Sequence, residues 1–367
     1  MTTRSTNEVF LNSRRTAGRI PRELVIFSAV GLFVLLAIAV IFVRPTEDRG
    51  IRLWLLNHAP DQLVIVNPDT GEKEKEVLVA DGLVQLIFNN RKDTAFIANV
   101  VDVSNKLTLL DTRNYLKVDT ILLSGVPQGL AIFPDDRHLA VISASRSDFQ
   151  ASGFDVIDLE TPSKVDPSMR FTIYRERGLR LTSSIHVDEN GNIYCLDAKD
   201  SRVFIFDGKQ KKLVKSIDIG SAPIQLYYPK GGRYFFVTSI KDESITFFNK
   251  GKTPDLVSKA GSVTYGRFRY LVTTSDGSLL YAPIYEKKIV AVIDVEERKV
   301  IDEFETPEGV QIIGISPFDD EIYAVGFDTG QVFVMNAKNG RIKRTIKTSG
   351  DFRDIDVLLE SEKPPLR

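Results

Sequence analysis

The stretch that decides the fold is residues 127–165, which read PQGLAIFPDDRHLAVISASRSDFQASGFDVIDLETPSKV. Three short apolar runs in it have the length and the β-branched content of strands, and a fourth strand is expected at the apolar end, around Val165. The breaks between the runs contain the Asp, Gly, Pro and Lys residues that turns favour. The stretch therefore predicts four strands joined by turns.

The same order of runs recurs along the chain, at residues 183–212, 224–253, 269–299 and 314–341. One polar residue opens the turn after each third strand, at Asn67, Asp111, Asp158, Asp207, Asn249, Asp294 and Asn336. Successive gaps between these residues are about 42 to 49 positions, a spacing typical of propeller blades. The sequence therefore predicts an all-β protein, a seven-bladed β-propeller of four-stranded antiparallel blades.

The first blade lacks one strand, because only three apolar runs precede the second blade, which opens at Gly82. The last apolar run, residues 352–359 (FRDIDVLL), has no turn partner of its own. Placed beside residues 51–57, it would complete the first blade and close a ring that spans residues 50–359. Residues 360–367 are expected to be a disordered tail.

A transmembrane helix is predicted before the propeller, at residues 24–43 (LVIFSAVGLFVLLAIAVIFV), which contain no charge. About 20 such residues are enough to cross the hydrocarbon layer of a bilayer. The run is too long for a cleavable signal and is followed by charged residues, so an uncleaved anchor is expected. The basic segment 1–23 would stay in the cytoplasm.

This topology places the propeller in the periplasm or outside the cell, tethered to the inner (cytoplasmic) membrane of a bacterium. Cys195 is the only cysteine, and no Asn-x-Ser/Thr glycosylation signal occurs, which favours a bacterial setting. A lone cysteine also forms no disulfide within the chain and no thiolate metal or haem site. The net charge of -1 argues against nucleic-acid binding.

Three segments carry a resemblance to a known group of proteins. Residues 133–143 (FPDDRHLAVIS), 229–239 (PKGGRYFFVTS) and 274–284 (TSDGSLLYAPI) resemble YVTN-type repeats of seven-bladed propellers. The resemblance implies the fold of lactonase-like and quinoprotein amine dehydrogenase heavy-chain-like proteins. The chain departs from the WD40 pattern, since Trp54 is its only tryptophan, and no residue matches a lactonase active site.

Candidate catalytic residues are few. The three histidines, His58, His138 and His186, lie in different blades, so they are expected to be surface-turn or satisfied strand residues rather than metal ligands. Cys195 is expected to be a small buried hydrophobe. Four acids fall in the first turns of their blades, where carboxylates accept hydrogen bonds from backbone amides: Glu189, Asp276, Asp319 and Asp320. We predict no catalytic set, no metal site and no cofactor.

The strongest binding candidate is basic. Superimposing the fourth and sixth blades at an offset of 87 residues places Arg180 on Arg267 and Thr182 on Arg269, where the chain enters the innermost strand. Guanidinium groups at one mouth of the central channel would suit an anionic ligand or an acidic partner segment. Further residues predicted at this mouth are Arg175, Arg177, Gln128 and Gln311. Solvated loop charges are the alternative interpretation.

Three classes of function fit these patterns. The leading one is a membrane-tethered extracytoplasmic propeller that acts as a protein-interaction scaffold or as an accessory subunit of a membrane complex. The second is a ligand-binding or sensing propeller with an anion site at the channel mouth. The third is an enzyme, or an enzyme subunit, of the lactonase-like or amine-dehydrogenase-like kind, which would need acids and polar groups clustered in the channel.

Overall fold

A computed structural model describes residues 47–58, 60–79, 82–101, 104–123, 125–144, 151–160, 171–175, 181–220 and 222–362. The predicted cytoplasmic segment 1–23 and the predicted span 24–43 lie outside these residues. Within the described ranges, no helix has both the length and the apolar character that crossing a membrane requires. The described residues form a seven-bladed propeller of four-stranded antiparallel blades.

The blades are numbered in chain order and their strands run from the channel outward. Blade one contains β28 (Phe352–Leu359), β1 (Ile51–His58), β2 (Asp61–Val66) and β3 (Lys73–Leu78); blade two contains β4 (Leu83–Phe88), β5 (Thr94–Val101), β6 (Ser104–Asp111) and β7 (Lys117–Leu122); blade three contains β8 (Val126–Ile132), β9 (His138–Ala144), β10 (Ala151–Asp158) and β11 (Phe171–Arg175). Blade four contains β12 (Leu181–Val187), β13 (Asn192–Asp197), β14 (Arg202–Asp207) and β15 (Lys212–Asp218); blade five contains β16 (Pro223–Tyr227), β17 (Tyr234–Ser239), β18 (Ser244–Asn249) and β19 (Ser258–Thr264). Blade six contains β20 (Val272–Thr273), β21 (Leu279–Ile284), β22 (Ile289–Asp294) and β23 (Lys299–Glu305); blade seven contains β24 (Val310–Ile315), β25 (Glu321–Gly326), β26 (Val332–Asn336) and β27 (Ile342–Ile346). Three short 3-10 turns occur within the described ranges, at Pro254–Leu256, Tyr285–Lys287 and Glu360–Glu362.

The cores lie between neighbouring blades, because each blade packs both of its faces. The second strand of blade four, β13, is buried at every position, whereas the outermost strand of blade one, β3, is mostly exposed and charged. Between blades one and two, Trp54 packs edge-on against Phe88, with 5.1 Å between the ring centroids. The middle strands are therefore almost continuous runs of apolar residues, whereas charged residues are interspersed in the outermost strands.

The two ends of the propeller meet in blade one. Strand β28 pairs antiparallel with β1, from Ile51 opposite Leu359 to Asn57 opposite Phe352. These are the two segments that the sequence analysis placed side by side. Glu360 extends the junction, since its N–H donates to the carbonyl of Gly50.

The tail begins later than expected. Glu360–Glu362 form a 3-10 turn, and the Glu360 carboxylate lies 3.5 Å from the guanidinium of Arg52. The prediction of disorder from residue 360 is therefore wrong for these three residues, because backbone and charge contacts hold them. Residues 363–367 lie outside the described part of the chain.

Arg49 joins blade one to blade seven. Its guanidinium pairs with Asp69 at 2.8 Å in blade one, and with Asp320 at 2.7 Å and Glu321 in blade seven. The carboxylates around this guanidinium raise its pKa despite the cost of its partial burial. The seam at which the chain closes is therefore held by ion pairs as well as by strand pairing.

The fourth strand of blade three lies at Phe171–Arg175, where it pairs with β10. The sequence predicted this strand around Val165, which lies outside the described residues, and it predicted Arg175 at the channel mouth, whereas Arg175 ends an outermost strand. The alternating aromatic and β-branched side chains of FTIYR suit a strand, whereas Pro167 follows Val165 closely. A single pair, Ala151 opposite Leu181, joins the sheets of blades three and four.

Turn acids connect blades as well as capping their own turns. Asp276 accepts hydrogen bonds from the N–H and hydroxyl of Ser278, which confirms its predicted turn role. Asp319 instead accepts from the N–H of Ser275 in the preceding blade, at 2.9 Å. The Asp136 carboxylate likewise accepts from the N–H of Asn90 in the preceding blade, at 2.7 Å. Asp319 therefore accepts from a backbone amide, as predicted for the turn acids, but the amide belongs to the neighbouring blade.

Removing β28 tests how strongly the ring depends on its closure. We expect deletion of residues 352–367 to destabilise the propeller by roughly 5 kcal/mol or more, since buried Phe352 and Leu358 are lost and β1 becomes an open edge. Thermal unfolding followed by circular dichroism measures this. Deletion of residues 363–367 is the control and should melt like the full chain. Near-normal melting of the longer deletion would show that β28 does not hold the ring closed.

Candidate functional site

The seven innermost strands enclose a central channel. The channel contains a cavity of about 660 Å³ that is lined by residues from every blade. The polar or aromatic lining residues are Gln85, Gln128, Ser184, Gln225, Tyr227, Arg269, Tyr270, Asp354 and Asp356. We call this cavity the channel site.

Backbone bulges place polar side chains at the channel. The pairing of the innermost strand with the second strand skips one residue in several blades, for example between Leu83 and Gln85 and between Pro223 and Gln225. Blade three repeats this at Pro127 and Gly129, which leaves Gln128 as the bulged residue. A bulge changes the direction of the side chains around it, so polar residues reach the channel beside an otherwise apolar strand.

Side chains of one blade satisfy backbone groups of another. An innermost strand has no further strand on its channel side, so its edge N–H groups need other partners. The Asp354 carboxylate accepts from the N–H of Leu86 at 3.0 Å, and the Gln85 side-chain oxygen accepts from the N–H of Leu130 at 2.8 Å. Part of the polarity of the channel therefore serves the scaffold.

Tyr270 spans the innermost strands of two blades that are not neighbours. Its hydroxyl donates to the carbonyl of Arg353, from blade six to blade one, at 3.1 Å. Blade seven lies between them, and there Gly314 allows a close approach: an added Cβ would lie 2.9 Å from a methyl group of Val357. Arg269 and Asp354 are the residues that flank this hydrogen bond along the two strands.

The sequence analysis missed Asp354 and Asp356. Burial raises the pKa of Asp354 to about 7, with a further increase from the neighbouring Asp356 carboxyl and an opposing hydrogen bond from Leu86. Burial likewise raises the pKa of Asp356. Both side chains line the channel and keep some access to solvent within it. The available signal was Asp-x-Asp in a strand expected to be innermost, since alternate residues share one face.

The predicted basic residues separate into different environments. Arg267 is 54% exposed and lies 3.3 Å from Glu243 and 3.9 Å from Glu286, so acids at the surface already neutralise it. Arg269 lines the channel site and makes no ion pair or hydrogen bond with any described residue. The structure thus does not bring these two arginines into one cluster.

The other predicted site residues are placed as follows. Gln128 lines the channel site, whereas Gln311 is half-buried and is not among the lining residues. Arg175 ends β11, the outermost strand of blade three. Arg177 and Arg180 lie outside the described residues.

The histidines and the cysteine have structural environments. His186 stacks on Tyr228 with 4.3 Å between ring centroids, and burial lowers its pKa to about 3, so it is neutral near pH 7. His138 contacts Asp135 at 2.6 Å across a turn. Cys195 is buried and burial raises its thiol pKa, as expected of a core residue. Among the described residues, no three His, Cys, Asp or Glu side chains are grouped as metal ligands would be.

Comparison with known proteins supports the fold alone. No known protein-family profile matches the chain. Antigen Lp49 from Leptospira interrogans is 23% identical over 155 residues, which are 42% of this chain and only about a third (32%) of that antigen. The match therefore leaves most of that antigen uncovered.

Solved structures match more of the chain. A functionally unknown protein from Desulfotomaculum acetoxidans has a TM-score of 0.69 at 12% identity, covering 83% of this chain and 98% of that one. A 6-phosphogluconolactonase-like protein from Bacteroides fragilis has a TM-score of 0.63 at 14% identity, covering 85% and 99%. The dihydro-heme d1 dehydrogenase NirN has a TM-score of 0.60 at 13% identity, covering 83% and 65%. Identities this low establish a shared propeller and no shared activity.

The raised pKa of Asp354 predicts how stability depends on pH. The ordinary value is 3.8, so the folded protein binds more protons than the unfolded chain between about pH 4 and 7, and stability falls as pH rises through that window. We expect Asp354→Asn to remove this slope, which amounts to roughly 2–4 kcal/mol, while the amide oxygen still accepts from Leu86. Urea unfolding across this pH range measures it.

Asp302→Asn, on the exposed outermost strand of blade six, is the matched control for this experiment and should leave the wild-type profile unchanged. Parallel pH profiles for wild type and Asp354→Asn would contradict the proposed titration of Asp354.

Proposed function

We propose that the propeller binds a small polar molecule in the channel site. The observation that carries the proposal is the cavity of about 660 Å³, to which all seven innermost strands contribute lining residues. Sites for small ligands typically have volumes of about 300–1,000 Å³ and combine apolar walls with a few convergent polar groups. The channel site has both properties, since apolar Ile224 and Ile313 line it together with polar Gln225 and Arg269.

Polar groups that the scaffold leaves unused support ligand binding over a purely structural role. The side-chain oxygen of Gln225 is buried and accepts no hydrogen bond. Arg269 has no partner among the described residues, whereas Arg267 is paired. Because the Gln225 oxygen is buried, leaving it unpaired costs free energy that a ligand donor would recover. The Arg269 guanidinium is solvent-exposed, so it is accessible to an anionic group of a ligand.

An enzymatic role would use the same groups. Asp354 and Asp356 are carboxyls whose pKa values are raised in a cleft, which is a feature of acid–base sites as well as of buried scaffold acids. They are also the clustered channel acids that a lactonase-like reaction would need. We favour binding because, among the described residues, no group of three metal-ligating side chains accompanies them.

A variant with a filled channel tests the proposal. Ile224 lines the channel site and belongs to no buried apolar cluster, so Ile224→Trp should fill the cavity without disturbing a core. We expect a metabolite library to contain a compound that raises the melting temperature of the full-length protein but not that of Ile224→Trp. A compound at 100 times its Kd stabilises by about 2.7 kcal/mol.

Leu256→Trp, on the exposed rim of blade five, is the control and should respond like the wild type. Failure of every compound, or equal stabilisation of Ile224→Trp, would count against a ligand in the channel.

We further propose that the propeller is tethered to a bacterial inner membrane by residues 24–43, lies in the periplasm and serves a membrane complex as a scaffold or accessory subunit. The anchor and the basic segment before it support the tether. Four apolar side chains in or directly before the outermost strands of blades one and two support a protein partner, since each is more than half exposed: Leu78, Leu116, Val118 and Leu122.

A reporter fusion tests the topology. Alkaline phosphatase folds actively only outside the cytoplasm, so we expect a fusion after Arg367 to be active in a bacterial host. The same fusion on a chain that lacks residues 1–43 should be inactive at equal abundance by immunoblot. An inactive full-length fusion would reverse the proposed topology.

A further inference from the structure

The channel site contains charges of both signs that do not neutralise one another. Asp354 and Asp356 are alternate residues of β28, and both line the cavity. Neither carboxyl lies within 4 Å of a described cationic nitrogen. Their hydrogen bonds come from backbone N–H groups: Leu86 and Ile355 donate to Asp354, and Val357 donates to Asp356. A cation from outside the protein has room to pair with them.

The positively charged residue of the channel site, Arg269, belongs to blade six. The Arg269 guanidinium lines the same cavity and is unpaired within the described residues. It is separated from the acids by the hydrogen bond from the Tyr270 hydroxyl to the Arg353 carbonyl. Burial raises the pKa of the Tyr270 hydroxyl, the Asp354 charge raises it further, and the charges of Arg353 and then Arg269 lower it.

Arg269 therefore lines the same cavity as Asp354 and Asp356 but forms no ion pair with either acid. Arg269 is solvent-exposed and the two acids are partly buried, and each half of the cavity is left to pair with an opposite charge on a ligand. The buried side-chain oxygen of Gln225 adds an unused hydrogen-bond acceptor to the lining. One small molecule with a cationic donor at one end and an anion at the other would satisfy these groups together.

We propose that the ligand of the channel site is amphoteric, an amino acid or short peptide whose ammonium group binds Asp354 and Asp356 and whose carboxylate binds Arg269. This inference rests on the proposed function, because it names the ligand class of the same site. The guanidinium offers two parallel donors that match a carboxylate, and an ammonium group offers three donors to the acids. The anion site predicted from the sequence becomes one half of this site.

Matched probes separate the two halves. The twenty amino acids and a set of dipeptides are titrated into the full-length protein in detergent by calorimetry, each beside its N-acetylated and its C-amidated form. Acetylation removes the ammonium charge and amidation removes the carboxylate. We expect at least one free probe to bind, and each blocked form of it to bind at least about tenfold more weakly, which corresponds to about 1.4 kcal/mol.

Variants assign each half to its residues. Asp354→Asn combined with Asp356→Asn should abolish the discrimination between the free and the acetylated amine. Arg269→Gln should abolish the discrimination between carboxylate and amide, and glutamine is compatible with this position because Gln128 and Gln311 occupy it in blades three and seven. Arg267→Gln is the control, since Glu243 already pairs with Arg267, and it should leave both preferences intact.

The outcomes separate this inference from the proposed function. Binding of only uncharged or singly charged compounds, with loss of that binding in Ile224→Trp, would keep the channel as the ligand site and overturn the amphoteric class. Equal binding of free and blocked probes would overturn it as well. Binding of free amino acids that persists in Ile224→Trp would overturn both proposals.

Discussion

The pairing of β28 with β1 is the constraint on which the rest of the structure depends. Every other blade is continuous in sequence, but blade one takes its innermost strand from the far end of the chain. Without that strand, blade one would face the channel with an unpaired edge, and blades seven and two would lose the surface against which they pack. Arg49 and Arg52 reinforce the junction through carboxylates on both sides of it. The fold is therefore complete only when the last strand is in place, which also completes the channel site, since Asp354 and Asp356 belong to that strand.

The chemistry of the channel follows from the same strand geometry. Innermost strands present N–H groups toward a space that no further strand fills, so polar side chains from other blades supply the acceptors. Asp354, Gln85 and Tyr227 meet this demand at Leu86, Leu130 and Thr273. Among the described lining residues, the groups that these bonds leave unused include the buried oxygen of Gln225, one carboxylate oxygen of Asp356 and the solvent-exposed guanidinium of Arg269. A scaffold alone has no use for these groups, and this distinction between used and unused groups is the basis for proposing a ligand.

The architecture can be predicted from the sequence because each repeat shows the same local features. Strand length, turn residues and a regular spacing recur in each blade, and a closing strand can be recognised by its lack of a partner. The channel acids could not be recognised in this way, because their importance depends on which strands surround the channel and on what the neighbouring backbone leaves unpaired. Arg267 and Arg269 illustrate the limit: they are two residues apart and look equivalent in sequence, but only the positions of Glu243 and Glu286 show that one is neutralised. Strand β11 was misplaced for a related reason, since apolar composition alone did not locate its start after a long connection.

The seven blades share one backbone plan, but the charges in the channel do not follow its symmetry. Among the described lining residues, Arg269 is on blade six and both acids are on blade one, while blade seven between them carries Gly314 and no ionisable residue. At that glycine the innermost strand approaches Val357 closely, which leaves room for Tyr270 to reach past blade seven to blade one. A ligand that matched only the repeated features would have seven nearly equivalent orientations. The local difference among blades six, seven and one removes that degeneracy, so the channel can recognise a molecule with two distinct ends.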